Sequence, residues 1–219
     1  MSFSRVIVPE ILDSLPHGDP RAVESRRELG VINRVMGNPS WFERSLRAHT
    51  AGAGRGERIL ELGAGDGALA RHLWAAQICQ PEDWTALDLA PPPALWPSKA
   101  RWLQRDLFAP SALPDAQILV ANLFLHHFQG SDLAALKARL PASCRLVLVS
   151  EPARRRLHLA QGRLLAALLG FGAVTRHDMK ASIHAGFLKN ELPEVLFGKE
   201  WSWEVSTTLL GAYRLKAWR

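Results

Sequence analysis

Residues 58–70 read RILELGAGDGALA. Ile59 and Leu60 lead into an acid, Glu61, and then into a glycine-dense turn of Gly63, Ala64, Gly65, Asp66 and Gly67. Helix-forming residues follow. The stretch therefore predicts a buried strand over 59–62, a tight turn, and a helix over 67–78. Glycine lacks a Cβ, so the backbone of such a turn can come close to a ligand. The helix N-terminus adds unpaired N–H groups and the positive end of its dipole. A polar, nucleotide-like group is expected against this turn.

Beyond this stretch, apolar runs and helical patterns alternate. Strands are predicted over 84–89, 100–104, 117–122 and 145–150. Helices are predicted over 131–139, capped by Ser131 or Asp132, and over 153–169, closed by Gly170. The tail changes character, with a short helix over 191–196 and two strand-like runs, 201–208 and 212–218, that form a hairpin around Gly211. Such alternation implies a mostly parallel sheet with helices on both faces and a ligand cleft beyond the carboxyl ends of its strands. Glu61 to Gly67, Asp88, Asp106 and Asn122 then share one rim. Residues 1–56 read as a helical cover ahead of a main domain, 57–219. The cover has a loop over 12–20 and a helix over 21–35 with Val23, Leu29, Ile32 and Val35 on its inner side. A second helix over 41–49 and a small-residue linker over 50–57 complete it.

With 47% hydrophobic and 22% charged residues, the 219-residue chain has the balance of one globular core. No apolar run reaches membrane-spanning length, and the first residues lack a signal-peptide layout. Two cysteines, Cys79 and Cys144, make neither a disulfide framework nor a metal motif. A cytoplasmic location with no membrane partner is the expectation. The net charge of +6 comes mostly from scattered arginines, the pattern of a solvated surface more than of a nucleic-acid stripe.

The glycine turn by itself leaves two nucleotides open. Gly63, Gly65 and Ala68 also satisfy the dinucleotide pattern G-x-G-x-x-G/A, and Asp88 could accept from the ribose hydroxyls of either. The remaining motifs separate them. With ELGAGDG (61–67), ALDLAP (86–91), RDLF (105–108), ANLFLHHF (121–128) and LVLVSEP (146–152), the chain from residue 57 onward resembles the class I S-adenosylmethionine-dependent methyltransferases. RAVESRRELGVINRVMGN (21–38) is similar to the N-terminal cover helices of their small-molecule members. The resemblance implies a Rossmann-like, doubly wound α/β fold: a mostly parallel seven-stranded sheet with an antiparallel C-terminal strand, plus the N-terminal helices. It also implies S-adenosyl-L-methionine as cofactor. Glu61 would lie near its methionine end, and Gly63, Ala64 and Gly65 would admit it to the backbone. Asp88, with Leu89 beside it, would hold the ribose. Asp106 would accept from the adenine amino group and Leu107 would offer its N–H to the ring. Asn122 and Leu123 would border the sulfonium and the acceptor.

A methyl group on a positive sulfur is already activated, so the protein has mainly to align the reactants and exclude water. A histidine is the natural base for a phenol or hydroxyl at neutral pH. His126 and His127 directly follow the fourth strand, and His177, next to Asp178, lies beyond the long helix. The run Asn122-Leu123-Phe124-Leu125 departs from the Asn/Asp-Pro-Pro-Tyr/Phe of base N-methyltransferases. Neither cysteine is placed as a nucleophile, and no spaced cluster of metal ligands is visible, so no metal is expected. Trp84, Trp102, Trp201 and Trp203 fall in or at strands, where they suit core packing. Arg26, Arg27 and Arg154 are candidates for an anionic substrate. The expectation is methyl transfer to oxygen or carbon of a small aromatic or polyketide-like acceptor. An RNA or protein methyltransferase is the first alternative. A nicotinamide-dependent oxidoreductase or a noncatalytic nucleotide-binding module is the second.

Overall fold

The predicted strand at 59–62 forms with those bounds, and all four of its residues are buried. The computed structural model describes residues 3–16, 18–53 and 56–219. Its strands are β1 (Ile59–Leu62), β2 (Trp84–Asp88), β3 (Arg101–Gln104), β4 (Ile118–Asn122), β5 (Leu146–Pro152), β6 (Ser202–Thr207) and β7 (Ala212–Trp218). They make one sheet in the order β3-β2-β1-β4-β5-β7-β6. The pairs β1–β2, β1–β4, β2–β3 and β4–β5 are parallel. β7 inserts antiparallel between β5 and β6. The strand order reverses between β1 and β4, and the ligand cleft of such sheets lies beyond the carboxyl ends at this point.

The helices are α1 (Ile11–Ser14), α2 (Pro20–Val35), α3 (Asn38–Ala53), α4 (Ala68–Ala75), α5 (Gly130–Arg139), α6 (Arg156–Leu169), α7 (Ala173–Ala185) and α8 (Glu191–Leu196). Side-chain alternation along the strands sends residues to opposite faces. Leu60, Leu62, Leu119, Ala121, Val147 and Val149 pack with Leu133 and Leu136 of α5 and Leu192 and Leu196 of α8. Ile59, Trp84, Ile118, Val120, Leu146 and Leu148 pack on the other face with Phe42 and Leu46 of α3 and Leu69, Ala70 and Leu73 of α4. A third cluster joins Ile32 and Met36 to Ala166, Phe171 and Ala212.

Several elements differ from the expectation. The buried residues of α2 are Ala22, Ser25 and Ile32, with Met36 just beyond, whereas Val23 and Val35 face solvent. The inner stripe is therefore set by small residues that let α2 approach α7, where Thr175 donates a hydrogen bond to Ser25 (2.9 Å). α3 continues through residues expected as linker. α4 stops at Ala75, and the Ile78 N–H turns back to the Leu73 carbonyl (3.0 Å). α6 starts at Arg156 because the residues before it extend β5, with Ala153 bridging in parallel to Phe187. At α5 the N-cap is Gln129, and Asp132 accepts its N–H from inside the helix (3.0 Å). α7 and the short α1 were not anticipated. The stripe α7 buries runs Val174, Asp178, Ala181 and Ala185, and an acid in its middle masks the apolar period.

Candidate functional site

The turn after β1 is built by backbone. Gly63, Gly65 and Gly67 have φ of 67°, 58° and 72°, a region that non-glycine residues enter at a cost. Gly63 N–H donates to the Leu87 carbonyl at the end of β2 (2.9 Å), and Gly67 N–H to Ala64 (2.8 Å). A Cβ on Gly63 would overlap the Phe124 ring, whereas Gly65 opens onto free space. Asp88 closes the turn from the neighbouring strand. One carboxylate oxygen accepts from Gly65 N–H (2.7 Å) and the other from Ala90 N–H (2.8 Å). Each oxygen keeps a second lone pair. Leu89, next along the chain, is 72% exposed, so an apolar side chain stands uncovered beside a fixed carboxylate.

Beneath the turn, Glu61 is buried on the α3–α4 face and accepts a hydrogen bond from Trp84 Nε1 (3.0 Å). Burial pushes its pKa up to about 8, and Asp88 and Asp66 nearby add to the shift against the Trp84 hydrogen bond. The carboxyl is thus held mostly neutral at pH 7, and an arriving cation would favour its ionisation. Along the rim, Asp106 is exposed and accepts the Phe108 N–H (2.8 Å). The Leu107 side chain is buried in the core below. Asn122 Oδ1 accepts from Asn38 (3.3 Å), a side chain with no exposed surface. Leu123 has φ of 55° and donates its N–H to Ser150 (2.8 Å). A leucine held there stores roughly 1–3 kcal/mol of backbone strain, of the kind that collects at functional sites.

The histidines lie on the 3-10 turn Leu125–His127 that follows. Glu151, fully buried at the end of β5, accepts the N–H groups of Phe124 (3.0 Å), Leu125 (2.7 Å) and His126 (3.4 Å). His126 Nδ1 meets the same carboxylate at 2.6 Å, and His126 Nε2 meets Glu10 at 3.3 Å. Burial opposes charge on this ring, but the hydrogen bonds to Glu10 and Glu151 outweigh it and raise the pKa to about 9. With both nitrogens engaged, His126 is a clamp rather than a base. His127 Nδ1 lies 3.5 Å from Asp13, and burial and the His126 charge lower its pKa. His177, on the exposed side of α7, meets Asp178 through Nδ1 (2.9 Å). Asp178 is fully buried and also accepts the N–H groups of Ile11 (2.8 Å) and Leu12 (3.0 Å) at the start of α1.

Sequence reasoning missed Glu10, Asp13, Glu151 and this role of Asp178. An acid closing the apolar run LVLVSEP was the one signal available. Although no ligand spacing was visible, the fold brings Glu10, His126 and His127 together, with ligand atoms within 4.8 Å of one another. Arg154 is no anion receptor: it is buried and hydrogen-bonded to Gly186 (3.1 Å), Phe3 and Glu191. Arg27 is exposed on α2. Burial pushes the Cys79 thiol up to about 12 and the Cys144 thiol up to about 11, so both stay protonated and inert. Among the described residues, no helix is long and apolar enough to cross a membrane.

This sheet order and the glycine turn at its switch point make the Rossmann-like fold of the class I methyltransferases, and solved structures agree. The plantazolicin methyltransferase BpumL in complex with SAH superposes with a TM-score of 0.66 at 11% identity, over 92% of this chain and 91% of that one. The CurJ carbon methyltransferase gives 0.61 at 15% identity, over 96% of this chain and 61% of that one. Human N-acetylserotonin methyltransferase in complex with SAM gives 0.51 at 17% identity, over 94% and 61%. No protein-family model matches the chain, and no curated protein matches it in sequence.

Proposed function

We propose that the chain is an S-adenosyl-L-methionine-dependent methyltransferase acting on a small-molecule acceptor, at an oxygen or carbon of an aromatic or polyketide-like compound. The observation that carries this reading is the pairing of the open Gly65 turn with the fixed Asp88 carboxylate and the uncovered Leu89 at the sheet's switch point. These residues fit the cofactor. Gly65 leaves room against backbone in a turn that Gly63 and Ala64 shape, the free lone pairs of Asp88 suit two ribose hydroxyls, and Leu89 and Asp106 offer an apolar face and an acceptor to adenine. Glu61 is a carboxyl that ionises when an α-ammonium arrives. Asn122 and the strained Leu123 border the reacting end. The cofactor supplies a methyl group activated by its positive sulfur.

Among the histidines expected to do catalytic work, His126 and His127 belong to the clamp and its neighbourhood. His177 serves as the general base for a hydroxyl acceptor. Its Nδ1 faces Asp178, which leaves Nε2 to take the proton. α7 packs against α1, α2 and the 3-10 turn that follows β4, and His177 stands on its exposed side, open to an acceptor. A panel of phenolic and polyketide-like acceptors, scored by homocysteine released from S-adenosylhomocysteine in a coupled assay, tests the reading. Turnover is expected with such an acceptor. Turnover confined to RNA or protein substrates, with RNA binding that weakens steeply with salt, would replace it.

A further inference from the structure

We propose that Glu10, His126 and His127 form a site for one first-row divalent cation of the Zn2+ class, with its remaining position open to water. The site fastens the N-terminal segment to the turn after β4, and the inference goes beyond the methyltransferase reading.

The first support is geometry. A tetrahedral ion with bonds of about 2.0–2.1 Å holds its donors about 3.4 Å apart. His126 Nε2 lies 3.3 Å from Glu10 Oε1, close to that spacing. The ligand atoms of Glu10, His126 and His127 all fall within 4.8 Å of one another. The two imidazoles have centroids 4.3 Å apart, and a nitrogen of each lies within reach of one Glu10 oxygen. Both charged, they would repel; around a cation, both are neutral.

The outer contacts are those of a metal site. Metal-binding histidines usually donate their second N–H to a carboxylate, which fixes the tautomer. Glu151 takes that place, 2.6 Å from His126 Nδ1, and is itself held by three backbone N–H groups. The arrangement presents Nε2 to the ion. On the other side, Ser182 donates to Glu10. Without an ion, a proton on Nε2 bridges His126 and Glu10, and a cation would displace it to solvent.

Charge points the same way. Glu10, Asp13, Glu151 and Asp178 face the cluster from α1 and the segment before it, from β5 and from α7. Arg5 is the fixed cation beside them, and its guanidinium is spent on the carbonyls of Ala185 (2.7 Å), His126 (3.1 Å) and Phe128 (2.9 Å). Glu10 and Glu151 are buried carboxylates that share the His126 ring, and a cation at Nε2 would balance their charge in place of the ring proton. Two imidazoles and one carboxylate suit Zn2+ or its first-row neighbours better than Mg2+ or Ca2+.

The test is calorimetric titration of the chelator-stripped full chain with Zn2+, repeated with Co2+ for its tetrahedral visible spectrum. One equivalent should bind and raise the melting temperature. Affinity should fall at least 10-fold in Glu10→Gln and in His127→Asn, and about 10- to 100-fold in Glu151→Gln, where a second contact is lost. His72→Asn, at a half-buried His–Glu pair between α3 and α4, should bind as wild type does. Circular dichroism checks that each variant folds; should Glu10→Gln fail to, His127→Asn still decides. No stoichiometric binding by wild type, or binding unchanged in His127→Asn, would overturn the site. The readout does not depend on S-adenosylhomocysteine binding.

Discussion

The turn at Gly63 to Gly67 and the cluster around His126 stand at neighbouring strand ends, yet they are built in opposite ways. The turn is local. Five consecutive residues and one acid from the adjacent strand set its shape, largely through backbone hydrogen bonds. The cluster is assembled from four distant stretches: Glu10 and Asp13, His126 and His127, Glu151, and Asp178. It relies on side chains whose charges must balance. A backbone device should tolerate changes in surface charge but not an added Cβ. A side-chain device should behave the other way.

The largest effect that would break this contrast is at Gly63. Gly63→Ala meets the Phe124 ring in a left-handed conformation, so S-adenosylhomocysteine affinity should fall more than about 100-fold, or the melting temperature should drop. Wild-type affinity and stability would show that the turn is not fixed by its glycine. Next, His177→Gln should lower kcat by about 10²- to 10⁴-fold with cofactor affinity unchanged. A loss confined to KM would make His177 a binding residue. Asp88→Ala should weaken S-adenosylhomocysteine by about 10- to 100-fold, as two charge-assisted hydrogen bonds are lost, without unfolding the chain; an unchanged dissociation constant would remove it from the ribose site.

The smallest effect sharpens the contrast, because Glu61 brings a titrating side chain under the backbone turn. Its folded pKa of about 8 lies above the ordinary 4.5. Between these values the folded state holds a proton that the unfolded chain has lost. Stability therefore falls as pH rises from 4.5 to about 8, and then levels. Glu61→Gln should flatten that slope and melt higher than wild type above pH 8. At pH 7, S-adenosylhomocysteine binding should release about one proton from wild type and none from Glu61→Gln, read as the buffer dependence of the binding enthalpy. Equal release from both would place the titrating group elsewhere.

The same contrast explains what the sequence disclosed. β1, α8 and β7 fall where the pattern puts them; the alternation of elements led to the mostly parallel sheet, and the resemblance implied its antiparallel last strand. Local features carry their own signature: glycine at a turn, apolar runs in buried strands, Gly170 closing α6. The acids of the cluster carry none. Glu10 and His126 are 116 residues apart, and each taken alone reads as an ordinary polar residue. Asp178 disguised α7 because it occupies a buried position for the sake of α1. On α2 the valines misled because hydrophobicity ranked above size. The face that packs was chosen by Ala22 and Ser25, where α7 comes close.

The central claim is that the turn and Asp88 hold an S-adenosyl group. Calorimetry of the wild-type chain with S-adenosylhomocysteine and, in parallel, with NADH tests it most directly. Micromolar-range binding of S-adenosylhomocysteine, weakened in Asp88→Ala, with no binding of NADH, is the predicted result. Clear binding of NADH with none of S-adenosylhomocysteine would contradict it.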